Sequence, residues 1–181
     1  MKTLKKTLAC LMALCLILAL AACGSKAAEM VGTWTGTLDM ADYLISETPE
    51  MDGYLKKAPV DITLVLGEDG NYTLDMDAST MIPDFREALT AFLLDQVAAQ
   101  TGTSMTVEEV EKLTGKTMDE LLDEILADFD LSELNYHDSG TYKIDGNNIV
   151  YGDGGKDPFT LDGNSLTIPV ETFGDVVLTR R

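Results

Sequence analysis

Tyr142-Lys143-Ile144-Asp145-Gly146-Asn147-Asn148-Ile149 is echoed downstream by Phe159-Thr160-Leu161-Asp162-Gly163-Asn164-Ser165-Leu166. Each copy is an aromatic-x-aliphatic strand end, an Asp-Gly-Asn turn and the start of a new strand, so each reads as a β-hairpin. The glycine supplies the positive φ that such turns need, and the Asp caps its own backbone. A third turn of this type, Asp69-Gly70-Asn71, lies between Val60-Ile62-Leu64-Leu66 and Tyr72-Leu74-Met76, two runs that alternate with polar residues at period two. Three hairpins without intervening helices predict an antiparallel meander, because parallel pairing needs a crossover segment between strands. Turn chemistry accounts for these aspartates. The D-x-[DN]-x-[DN]-G spacing of a calcium loop, with its Glu at the twelfth position, is absent.

Upstream, Trp34, Leu38 and Met40 alternate with Thr33, Thr35, Thr37 and Asp39, a half-buried first strand within 31–40. Residues 41–57 contain Tyr43-Leu44-Ile45, which fits a short helical turn, and then a loop punctuated by Pro49 and Gly53. Five strands between Gly140 and Thr179 bring the total to about eight. The period changes to 3.6 after Thr80. Phe85, Leu89, Phe92, Leu93 and Val97 share one helical face, with Pro83 in the first turn and Gly102 beyond the end. Thr106 with Glu109 and Thr117 with Glu120 form two capping boxes, which open two further helices. In the second of these, Met118, Leu121, Leu122, Ile125, Leu126 and Phe129 make the apolar stripe. The expected fold is therefore mostly β with a helical insert: a meander barrel of about eight strands, with two or three helices at 79–135 between the third and fourth strands. Eight antiparallel strands can close on themselves and so remove their edges. The insert holds Arg86, Lys112 and Lys116 against thirteen Asp and Glu, a net charge of −10. Its acidic outer face should turn away from anionic headgroups. Its inner faces, led by Phe85, Leu89, Phe92, Leu122, Ile125 and Phe129, are expected over one barrel mouth as a lid or plug that faces a ligand.

The N-terminus obeys a different rule from the domain. Lys2, Lys5 and Lys6 precede the apolar run from Leu8 to Leu20, the charged and hydrophobic regions of a signal peptide. The run is short for a membrane span, which needs ~20 apolar residues. It ends in Leu20-Ala21-Ala22-Cys23, which resembles the bacterial lipobox. That resemblance implies cleavage before Cys23, a lipid on the Cys23 sulfur and a membrane partner reached through this anchor. A plain secretory signal with an incidental Cys and an uncleaved anchor are the alternatives. The expected organisation is thus a signal peptide at 1–22, a lipidated Cys with a short tether at 23–30, and one domain at 31–181. The tether from Gly24 to Met30 could span ~23–25 Å if fully extended.

Of 181 residues, 13 are Lys or Arg and 31 are Asp or Glu; loss of Lys2, Lys5 and Lys6 leaves ten cations and a net charge of −21. Nucleic acid is excluded as a partner, since phosphate binding needs clustered cations. Cys10 and Cys15 depart with the signal and Cys23 takes lipid, so the mature chain has no Cys for a disulfide, a thiolate metal site or a nucleophile. One histidine, His137, rules out any two-histidine metal site, and Asn135-Tyr136-His137-Asp138 reads as a helix-to-strand connector. There is no G-x-S-x-G elbow and no Gly-rich phosphate loop. No catalytic residue, metal ligand or cofactor is singled out, and the chain is expected to be non-enzymatic. A carboxylate pair could in principle do acid/base work, but the sequence singles out no pair among its 31 acids.

Gly32-Thr33-Trp34 on the first strand resembles the G-x-W motif of lipocalins and related calycin barrels. In that family the Trp closes one barrel end and an Arg of the last strand packs across its ring. Here Val176-Val177-Leu178-Thr179-Arg180-Arg181 places Arg180 on the face of Val176 and Leu178, in the register for that role. The chain departs from the family in its helical insert, in lacking a C-terminal helix after Arg181, and in lacking the Thr-Asp-Tyr motif. The resemblance implies a membrane-anchored, extracytoplasmic binding module for a small apolar ligand. The alternative is an interaction lipoprotein with a filled barrel that contacts another envelope component.

Overall fold

The computed structural model describes residues 26–127 and 135–181. Nine strands make one antiparallel sheet: β1 (Gly32–Asp39), β2 (Pro59–Leu66), β3 (Asn71–Asp77), β4 (Tyr136–Asp145), β5 (Asn148–Tyr151), β6 (Lys156–Pro158), β7 (Thr160–Asp162), β8 (Ser165–Val170) and β9 (Gly174–Arg180). Their order is β6-β5-β4-β3-β2-β1-β9-β8-β7, so sequence neighbours pair throughout except β6 with β7, and β1 meets β9 through Trp34↔Arg180 and Thr35↔Thr179. The two outermost strands, β6 and β7, are consecutive in the chain and separated only by Phe159. They behave as one bent strand that pairs with β5 on its first half and β8 on its second. Pro158, which has no N–H for a continuing ladder, sits at the bend, and Phe159 N–H instead donates to Asn147 O at 2.8 Å. The sheet is thus a nearly closed meander barrel. Counting the bent strand once gives the eight strands expected from the hairpin spacing.

Period-two alternation decides what faces inward. Trp34 and Leu38 on β1, and Val60, Ile62, Leu64 and Leu66 on β2, are buried, while Thr37, Asp39 and Asp61 are exposed. The three Asp-Gly turns all lie at one end of the barrel, and their glycines take the required positive φ: 77° at Gly70, 63° at Gly146 and 58° at Gly163. We refer to this as the turn end. The strand directions bring it together with Trp34 and Arg180.

The opposite end carries the helices. α1 (Ala41–Glu47) follows β1, and three helices stand between β3 and β4: α2 (Ile82–Thr101), α3 (Val107–Thr114) and α4 (Met118–Ala127). Their ends follow the local code. Gly102 and Gly115 cap α2 and α3 in left-handed conformation, and the Thr106–Glu109 capping box is complete. Glu120 accepts from Thr117 N–H at 2.8 Å while Thr117 Oγ1 accepts from Glu120 N–H at 3.2 Å. Arg86 on α2 ties α4 through Asp119 and Asp123, at 2.8 and 2.7 Å. Phe85, Ala88, Leu89, Val110, Met118 and Leu122 are buried in the same core as the barrel residues. α2 also covers the loop after α1, where Tyr54 meets Phe92 edge-on at 5.5 Å and donates to Asp95 at 2.9 Å.

Two expectations are altered. β4 begins at Tyr136, so His137 belongs to a strand and not to a connector, directly opposite Asp75 with Nδ1 2.6 Å from its Oδ1. Residues 26–30, expected as an extended tether, are helical and Met30 is fully buried. The packed domain therefore begins before Val31.

Candidate functional site

At the turn end, Trp34 is completely buried and its Nε1–H donates to Met30 O at 2.8 Å. Arg180 Cζ lies 4.4 Å from the centroid of the indole ring. The guanidinium also donates to Val31 O at 3.0 Å and to Glu29 O. One cation thus joins the last strand, the first strand and the helical turn before it. Gly32 has a φ of 142°, which suits glycine, and a Cβ there would lie 3.6 Å from Arg180 Nη1. Trp34 and Arg180 thus occupy this end, and an open hollow of about 630 Å³ lies beside them, lined by Ala27, Val31, Gly67, Gly70, Tyr142 and Ile144.

The barrel interior beyond it is not filled. A cavity of about 220 Å³ lies among inward residues of β1, β2, β3, β5, β6, β8 and β9, with Leu64, Leu74, Met76, Ile168, Val176 and Leu178 in its apolar wall. Phe173, from the β8–β9 turn, lines it at the helix-bearing end and meets Tyr43 of α1 edge-on at 5.5 Å. Tyr43 is 37% exposed, so the cover at this mouth is thin.

One polar pair interrupts the apolar wall, and a second stands behind it. Tyr151 and Asp157, on adjacent strands β5 and β6, both line the cavity, and the Tyr151 hydroxyl donates to Asp157 Oδ2 at 2.8 Å. The Tyr72 hydroxyl donates to Asp138 Oδ2 at 2.6 Å, and the Tyr72 and Tyr151 rings meet edge-on at 5.0 Å. Gly140 makes room for this, since it pairs directly with Tyr72 and a Cβ there would come within 3.1 Å of the Tyr72 ring. Burial, and then the bond to Asp157, push the Tyr151 phenol well above its ordinary pKa. The bond to Asp138, and then burial, push Tyr72 up to about 12. Both phenols therefore stay protonated at neutral pH and act as donors, and each carboxylate is held in orientation by a tyrosine.

The residues singled out in the insert lie elsewhere. Phe85, Leu89 and Leu122 are buried, Phe92 lies against Tyr54, and none of these four lines the lumen cavity. Ile125 lines a separate apolar groove of about 370 Å³ among α2, α3 and α4, with Leu93, Leu94, Val97, Val110 and Met118. Phe129 and Cys23 lie outside the described residues. Sequence reasoning missed the Tyr72–Asp138 and Tyr151–Asp157 pairs, although a signal for them existed. Continuing the alternation back from Tyr142 through Gly140 puts Asp138 on the inward face, and continuing from Phe159 does the same for Asp157.

Among the described residues no helix is long and apolar enough to cross a membrane. Comparison with protein-family models, with curated proteins and with solved structures returns no match.

Proposed function

We propose that the chain is a lipid-anchored, extracytoplasmic lipoprotein with a lipocalin-like barrel, a non-enzymatic module that holds a small apolar ligand in its lumen. The cavity carries this reading. An apolar space among inward-facing barrel residues, thinly covered at one mouth, is the form a pocket takes. Its 220 Å³ is below the ~300–1,000 Å³ usual for drug-sized ligands, so the ligand is small. The signal-like N-terminus and the lipobox support the anchor at Cys23, and the Gly32-Trp34-Arg180 cluster supports the lipocalin-like assignment.

Docking of residues 26–30 on the turn end also supports an orientation for the anchored chain. The three residue steps from Cys23 to Lys26 can span at most ~11 Å, so the turn end stands next to the bilayer. The lumen mouth and the acidic insert then face away from it, and the ligand exchanges with the aqueous side. A second reading, an interaction lipoprotein, is favoured by the apolar groove among α2, α3 and α4 on the same outward side.

The test is twofold. Cys23→Ala should abolish lipid attachment, with loss of the lipid mass and of membrane partitioning; unchanged mass and partitioning would remove the anchor. Native mass spectrometry of the full chain purified from its host should reveal a bound small molecule. Ile168→Trp, which projects a bulkier side chain into the lumen, should abolish that adduct, and an adduct that survives this substitution would place the ligand outside the barrel.

A further inference from the structure

We infer that the lumen is built for a small organic cation: a compact apolar body carrying a protonated amine that is read by Asp157. The inference rests on the proposal that the lumen holds a small ligand, and it replaces a purely apolar ligand with one that carries a positive charge.

The cavity lining contains a single charged residue, Asp157, and no Lys, Arg or His. Asp157 is half-buried on the inward face of β6, between the exposed Lys156 and Pro158. Tyr151 saturates one side of its carboxylate by donating to Oδ2, while Oδ1 accepts no hydrogen bond among the described residues. A second carboxylate, Asp138, stands behind Tyr72, whose ring touches that of Tyr151. On the inward faces of the strands the one cation is Arg180, and it is committed at the turn end to the Glu29 and Val31 carbonyls and the Trp34 ring. The wall of the lumen thus carries a carboxylate with no cationic partner in the lining.

Ligand classes can be ranked on that wall. An anion would place a like charge beside Asp157. A purely apolar molecule would strip water from the carboxylate and return nothing, which is unfavourable for a charged group. An ammonium supplies both the opposite charge and N–H donors, and charge-assisted bonds of this kind are the strong ones. Tyr151 and Phe173, which also line the cavity, offer ring faces and edges next to that charge. Size narrows the class further. A closed apolar cavity of ~150 Å³ accepts benzene, so 220 Å³ leaves room for one ring and a short polar arm. The net charge of −21 on the mature chain would raise the local concentration of any cation at the mouth.

The experiment is calorimetric titration of the full chain in nanodiscs of zwitterionic lipid, with empty discs as reference. Three probes of equal bulk are compared: 2-phenylethylamine, 2-phenylethanol and phenylacetate. The amine should bind with 1:1 stoichiometry, roughly 10- to 100-fold tighter than the alcohol, as expected for a hydrogen bond to a charged group. Phenylacetate should not bind. In Asp157→Asn the amine should bind no tighter than the alcohol, and Ile168→Trp should abolish amine binding without any change to the carboxylates. Equal binding of all three probes would overturn the inference while leaving the lumen reading intact. No binding by any of them would overturn both. An amine preference that survives either substitution would assign the amine to the acidic surface and overturn the role of Asp157.

Discussion

The contact between Trp34 and Arg180 permits a quantitative test of how the barrel is closed. Trp34 is wholly buried, so Trp34→Ala removes a large aromatic and should cost about 3–5 kcal/mol. Arg180→Ala removes the cation–π contact, about 0.5–2 kcal/mol, and two donors to main-chain carbonyls. Those donors are charged and contribute about 1.5–3 kcal/mol each where solvent is excluded. Because Arg180 is partly exposed, a total of about 2–4 kcal/mol is expected. In a domain of this size 1 kcal/mol moves Tm by about 2–4 °C, so both single variants should melt visibly earlier. The two losses should not add. Without the indole, Arg180 loses the surface it lies on, and without Arg180 the helical turn at 26–30 loses the clamp that seats Met30 O on Trp34 Nε1. A coupling of about 0.5–3 kcal/mol follows for residues in contact, measured by urea or thermal unfolding of the four proteins of the cycle. Costs that add to within ~0.5 kcal/mol would mean that the two side chains do not act together, and the closure described here would be refuted.

Two further outcomes are expected. Gly36→Ala puts a methyl 2.6 Å from Val177 O and 2.8 Å from Leu178 Cδ2; since the first obstacle is backbone, the β1–β9 seam must open, at a cost of about 1–3 kcal/mol, and an unchanged melting temperature would show that β9 does not lie there. Tyr72 has its pKa raised from 10.0 to about 12 by its bond to Asp138, so the stabilisation is complete below pH ~10 and is lost as pH climbs toward ~12. Asp138→Asn should flatten that alkaline loss in denaturation curves taken across the interval, and an identical pH profile in the variant would sever the link.

What could be read from the chain and what could not divide along a physical line. Hairpins announce themselves because a positive φ demands glycine, and helix starts because an orphan N–H demands an acceptor; Asp145-Gly146 and Thr106 with Glu109 are local statements of local needs. The docking of residues 26–30 gave no such sign, since its acceptors are the carbonyls of Glu29, Met30 and Val31, and a carbonyl is the same on every residue. The start of β4 was hidden for another reason. Tyr136 and His137 are exposed, and the inward residue between them and Gly140 is Asp138, so the hydrophobic alternation that marks a strand is missing. The insert shows the limit of amphipathicity: Phe85, Leu89 and Leu122 mark a buried face, but an apolar stripe does not say which surface it meets.

The same aspartate that concealed β4 bears on what the barrel is for. A lumen meant only to be packed gains nothing from carboxylates at 138 and 157, because each must be desolvated and then matched by a tyrosine whose own titration is pushed upward in consequence. Apolar residues at those two positions would fill the interior at lower cost, as they do at Leu64, Leu166 and Leu178. The two ends of the barrel treat charge in opposite ways. At the turn end the inward cation donates to two carbonyl oxygens and lies over an indole, while its Nε is buried without an acceptor among the described residues. Toward the mouth Asp157 has a phenol donor and borders the cavity, while Asp138 accepts from Tyr72 and from the Ser139 N–H. The proposal that the lumen takes a cation rests on this contrast: a carboxylate at the cavity wall with no cation in the lining beside it.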